Sequence, residues 1–178
     1  MIFESWYWKQ PLLEMASRLR TLKSVAELTE SQYVQIEKDV FIGFYSVRKL
    51  LETITKVTDT AKKRKMKVVW HPNKKPVTWR NNHRIDELYD LAVSHTEVRD
   101  ISFISGRIIH SFVFAPSAAP DGGLAGILFT SDTDKNKKIY SLDIDDIIEL
   151  FELIGDDYPT SIDWAKDPDT GEETTKVS

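Results

Sequence analysis

The sequence predicts an α+β fold. It would comprise an antiparallel pair of long helices and further helices, followed late in the chain by a small antiparallel sheet of about three strands. Three observations carry this. Apolar residues recur every three or four positions through most of residues 12–57, the helical period. After residue 110 the apolar runs shorten to strand length, in "FVFA", "GILFTS" and "KIYSLD", with turn-forming stretches between them. A chain of 178 residues is also long enough to bury one substantial core without staples.

The elements follow in order. Pro11 opens the first helix, and Leu12, Met15, Leu19, Leu22, Val25 and Leu28 form its apolar stripe. Ser31 is placed to N-cap the second, because its hydroxyl can accept an orphan backbone N–H. Tyr33, Ile36, Val40, Phe44, Val47, Leu51, Ile54 and Val57 then hold the helical period, and Phe41, Ile42, Tyr45 and Leu50 widen the stripe. Gly43 costs this helix about 1 kcal/mol relative to Ala, which a close helix–helix approach would explain. The cationic run "AKKRKMK" suits the helix's negative C-terminal end. "VVWHPNKKPVTW" reads as two β-prone arms around a turn, and Asn82 as the cap of a short helix, "HRIDELYDLA". Ser94 and Glu97 have capping-box spacing, so "EVRDISFISGRIIHS" reads as a helix with His110 in its last turn. After the three strands, Asp143 N-caps a final helix that Gly155 can close. One domain over residues 1–167 is expected, with a disordered acidic tail over 168–178, "PDTGEETTKVS".

A net charge of −4 conceals an asymmetry. Residues 48–84 hold twelve Lys/Arg against two Asp/Glu, whereas residues 143–178 hold twelve Asp/Glu against two Lys. The first block can meet a polyanion; the simpler reading is two solvated faces that partly compensate each other. No cysteine is present, so disulfides, thiolate metal sites and a Cys nucleophile are excluded, and a reducing compartment is favoured. No apolar run reaches membrane-helix length and the N-terminus lacks a signal-peptide pattern, so no membrane association and a cytoplasmic location are expected.

Two places carry candidate chemistry. In "SGRIIHSFVFAP", Arg107 and His110 lie three residues apart and share a helix face, an anion clamp beside a general base. The simpler role of His110 is to cap a helix C-terminus. The second place is the basic segment, where Lys62, Lys63, Arg64, Lys65, Lys67, Lys74, Lys75 and Arg80 interleave with Trp70 and Trp79. Single-stranded nucleic acid is bound by such a pattern, cations on phosphates and bases on rings. His83 and Glu87 have the spacing of two metal ligands on one helix face, but without a third ligand they read as a polar first turn, and no metal site is expected. No GxGxxG, Walker or GxSxG motif occurs, so no cofactor is expected. The aromatic "FESWYW" is too apolar to float free; exposed, it would anchor a protein partner.

Together, "FIGFYSVRKL", "HRIDELYDL", "IIHSFVFAP" and "DGGLAGILFTSD…NKKIY" resemble a widespread set of bacterial proteins without an assigned function, over roughly residues 35–164. The long paired helices and Arg107–His110 also resemble the HEPN group, whose RNases place an Arg and a His late in a helical bundle. In those enzymes the two residues stand further apart than the two intervening positions found here. That resemblance implies a metal-independent RNase, possible in phage defence, with His110 as base and Arg107 as phosphate clamp.

The expected function is an accessory or interaction protein, more a binder than an enzyme, with a basic segment, an acidic C-terminal face and a protein partner or second copy as ligand. The alternatives are the HEPN-like nuclease and a single-stranded nucleic-acid-binding protein without catalysis.

Overall fold

The computed structural model describes residues 2–178. Helices α1 (Trp6–Leu22) and α2 (Glu30–Glu52) lead into one-turn α3 (Asp59–Lys62). There follow β1 (Lys65–Pro72), one-turn α4 (Ile85–Leu88), β2 (His95–Asp100), α5 (Ile101–Ile109), β3 (Ser111–Ala118), β4 (Leu124–Ser131), β5 (Lys138–Asp143) and α6 (Ile144–Asp156). A hairpin of β6 (Ile162–Lys166) and β7 (Glu173–Val177) ends the chain.

The α+β class is what the structure has, but the sheet is larger than expected. It has five antiparallel strands, ordered β2-β1-β5-β4-β3, rather than about three. Of the two additional strands, β2 comes from a segment read as helix, and β1 joins the end of the cationic run to the first β-prone arm of "VVWHPNKKPVTW". Lys65 and Lys67 alternate with buried Met66 and Val68, so the second half of the cationic run is a strand with one wet face, while Lys62 stands in the last turn of α3 and Lys63 is its C-cap. The supposed helix over "EVRDISFISGRIIHS" is a strand followed by a helix. Asp100, not Ser94, caps α5, its carboxylate accepting the Phe103 N–H at 2.6 Å. Glu97 lies within β2 and caps nothing.

Other boundaries shift for local reasons. α1 starts at Trp6 and carries Pro11 inside it. Thr29 replaces Ser31 as N-cap of α2, because with Gln32 it closes a reciprocal capping box. α2 ends at Glu52, where Thr53 turns to extended backbone. "HRIDELYDLA" keeps only the turn of α4, with Arg84 rather than Asn82 at the N-cap position and no side-chain cap. Of the two β-prone arms in "VVWHPNKKPVTW" only the first is a strand. Gly155 lies inside α6, where a Cβ would stand 2.5 Å from Leu13; Asp157 is the C-cap. Residues 168–178, expected as a disordered tail, hold β7. Asp143 does cap α6, accepting the Asp145 N–H at 2.8 Å.

The long helices are antiparallel. Trp8 meets Tyr45 (6.3 Å between ring centroids) and Arg18 meets Asp39 (2.8 Å), so rising numbers in α1 pair with falling numbers in α2. α6 packs against both, and the close approach at Gly43 is to Phe151 of α6. Buried Lys9 of α1 donates to the Asp157 carbonyl and lies 4.2 Å from the Tyr158 ring, a cation at the negative end of α6. The main core joins these helices and α5 to one sheet face, through Met66, Val68, Phe129, Tyr140 and Leu142. A smaller core covers the other face, where Val77, Leu88 and Tyr89 from the excursion over 73–93 meet Val113 and Ile139. Among the described residues no helix is long and apolar enough to cross a membrane.

Candidate functional site

The sheet sorts the basic segment by alternation. Met66 and Val68 enter the main core, so Lys65 and Lys67 project from the opposite face and are exposed. The excursion over 73–93 lies on that face and carries Lys74, Lys75, Trp79 and Arg80. The Lys74 ammonium donates to the Asp86 carbonyl at 2.9 Å, and Lys75 is exposed. Trp79 is 74% exposed, with the Arg80 guanidinium 5.1 Å from its ring. Six of the ten residues expected to form a nucleic-acid surface thus share one side of the sheet.

The remaining four are drawn elsewhere. Lys62 donates to the Ile54 carbonyl at 2.7 Å, and Lys63 is exposed beside it. Arg64 turns toward α6 and meets Glu149 at 3.7 Å. Here the basic segment touches the acidic one, across a cleft of about 960 Å³ that Lys65 and Asp146 also line. Burial, and then the nearby Asp143 and Glu149, raise the carboxyl pKa of Asp146. Trp70 points to the helix side and stacks on His95 at 4.2 Å.

Arg107 and His110 take different surroundings. Arg107 is ion-paired with Asp134 at 2.9 Å and donates to Thr133 Oγ1 at 3.2 Å. His110 is the exposed C-cap residue of α5. His83 is exposed on the far excursion. No group of three His, Asp or Glu side chains is arranged to hold a metal ion among the described residues.

Compared with known proteins, the chain matches no protein family, no curated protein and no solved structure.

Arg107 belongs instead to a network that the sequence reading missed. On the helix side of the β2 edge, Arg99 donates to Glu97 at 3.0 Å, and Lys138 lies 3.3 Å from the same carboxylate. Lys138 also stands 4.8 Å from the Trp70 ring and 4.9 Å from Tyr140. Phe103 lies beneath two guanidiniums, Arg99 at 4.6 Å and Arg107 at 5.0 Å. Burial would raise the Glu97 pKa, but the hydrogen bonds from Arg99 and Lys138 outweigh it and leave the carboxyl below its usual range. Burial, reinforced by Asp134 and Glu97, pushes the Tyr140 phenol up to about 12. The available signal was the period-two recurrence of His95, Glu97 and Arg99, hidden under an apparent helical stripe.

A second surface feature lies at the N-terminus. Phe3 is 97% exposed, and Trp6 and Tyr7 are also exposed. Phe3 lines a groove of about 780 Å³ with Trp8, Tyr45, Lys49, Glu52, Ile54 and Lys56.

Proposed function

We propose that the protein is an accessory binding protein whose basic sheet side takes single-stranded nucleic acid. The observation that carries this reading is the exposed Trp79–Arg80 pair on the same side as Lys65, Lys67 and Lys75. A ring open to solvent beside unburied cations is the arrangement that stacks a base and holds its phosphate. Lys65 and Lys67 also line the cleft that carries Asp146 and Glu149 of α6, whereas Lys75, Trp79 and Arg80 do not border it.

Fluorescence anisotropy with a short labelled single strand tests this. Trp79→Ala should weaken binding by about 1–3 kcal/mol. If Lys65, Lys67, Lys75 and Arg80 each neutralise a phosphate, log K should fall with log salt at a slope of roughly −3. Absence of binding at ~50 mM salt, or indifference to Trp79, overturns the reading.

Exposure of Phe3, Trp6 and Tyr7 favours a second reading, self-association through the N-terminal groove. The occupant is the β6–β7 hairpin of another copy. It offers exposed Ile162 and Trp164 beside Asp163, and Lys56 and the Lys49–Glu52 ion pair border the groove. Sedimentation velocity should show mass rising with concentration, and Phe3→Ala or Trp164→Ala should abolish the rise. A monomer at every concentration overturns it.

A further inference from the structure

We propose that Arg99, backed by Arg107 and Lys138, forms a binding site for a phosphoryl oxyanion. The site lies on the helix side of the sheet, away from Trp79, and stands whether or not the basic side binds nucleic acid.

The first argument is an unmet donor. Arg99 Nε is shielded from solvent and has no hydrogen-bond acceptor. A buried N–H without a partner carries a desolvation penalty, and such atoms are uncommon in folded proteins. Arg107 Nε is likewise unsatisfied by direction: the Asp134 carboxylate is 2.9 Å away but off the N–H axis. Both side chains nevertheless reach the surface, Arg99 at 41% exposed and Arg107 at 32%, so an acceptor can arrive from outside.

The second argument is charge. Arg99, Arg107 and Lys138 face Glu97 and Asp134 at ion-pair distance, and Asp100 lies near Arg99 as a third carboxylate. Each carboxylate is already engaged, Glu97 and Asp134 by cations and Asp100 by the Phe103 N–H. Protonated at neutral pH, the buried Tyr140 adds no negative charge. With the carboxylates engaged, an incoming anion meets three cations that still have donors to offer.

The third argument is shape. A guanidinium offers five N–H donors in a rigid fork that matches two oxygens of a phosphate. Of those on Arg99, one meets Glu97. The Phe103 ring closes one side of both guanidiniums and keeps water from that side. A phosphoryl group, close to doubly charged at neutral pH, draws on the field of all three cations, where a single carboxylate draws less.

The test is a thermal-unfolding titration of the full chain with inorganic phosphate, against sodium chloride at matched ionic strength, with affinities from calorimetry. Phosphate should give a saturable rise in Tm that chloride does not. Arg99→Lys keeps the charge but loses the fork, and should weaken binding about tenfold. Glu97→Gln removes a neighbouring negative charge and should tighten it, an effect no purely structural role of Glu97 would produce. AMP binding more tightly than phosphate would identify a phosphate monoester as carrier, and equal affinity free phosphate; either supports the site. No effect beyond matched chloride, or wild-type affinity in Arg99→Lys, would overturn it.

Discussion

Gly43→Ala isolates the closest helix contact in the core. A Cβ built at Gly43 would stand 2.2 Å from Phe151 Cζ, 2.5 Å from Cε2 and 3.0 Å from Cε1. Carbon pairs settle at about 3.5–4.0 Å, so the ring must retreat by more than ~1 Å. It has little room: Phe151 is fully buried and packs edge-on against Phe44 at 5.4 Å. Overpacking of this kind costs about 1–3 kcal/mol, and a clash with three ring atoms belongs at the upper end. Replacing a mid-helix glycine by alanine returns about 1 kcal/mol. The net expectation is a loss of about 2 kcal/mol, or a Tm lower by roughly 4–8 °C for a chain of this length. Urea denaturation with an unchanged m-value measures it. In a Phe151→Leu background the same substitution should cost at least ~1 kcal/mol less, within the usual range of coupling between touching residues. A Gly43→Ala protein more stable than wild type, or a cost unchanged by Phe151→Leu, would refute the reasoning.

The remaining predictions concern the charge network, alkaline stability and the two capping residues. Asp39 is only 2% exposed and is held by Arg18 Nε and Nη2 at 3.0 and 2.8 Å and by Gln35 at 2.9 Å, so Arg18→Met should cost about 2 kcal/mol in denaturant titration. Tyr89 is raised far above 10 by burial, and Tyr140 to about 12. The unfolded chain therefore loses these protons first, and stability should be flat below pH 10 and fall from about 10 to 12, by at most ~1.4 kcal/mol per pH unit for each phenol. Tyr140→Phe should halve that slope at most, as equilibrium unfolding in alkaline buffers would record. Asp143→Ala should cost about 1 kcal/mol by removing the cap of α6. His110→Ala, at an exposed cap position, should change stability by no more than ~0.5 kcal/mol and leave incubated RNA as intact as wild type does.

Much of this architecture was legible before any coordinates, and the division follows the range of the interactions. Helical periodicity and capping are local, so α1, the body of α2, the Asp143 cap and the three late strands could be read from neighbours within a few residues. Gly43 announced a close approach, because a glycine in a long helix is unfavourable without one, although its partner in α6 lies more than a hundred residues away. Strand β2, and the first half of β1, were not legible. Their pairing energy comes from each other and from β5, and β2 is an edge strand with mostly exposed side chains, so it shows no apolar alternation. Its Val98 instead completed a false helical stripe with Ile101 and Ile104, across the point where Asp100 starts α5. The site followed the same rule. The composition of the basic segment was visible, but which side of the sheet each cation takes depends on a strand nobody would place without its partners. That Arg99, Arg107 and Lys138 converge on Glu97, Asp134 and Phe103 depends on three segments meeting in space, and only the tertiary structure decides it.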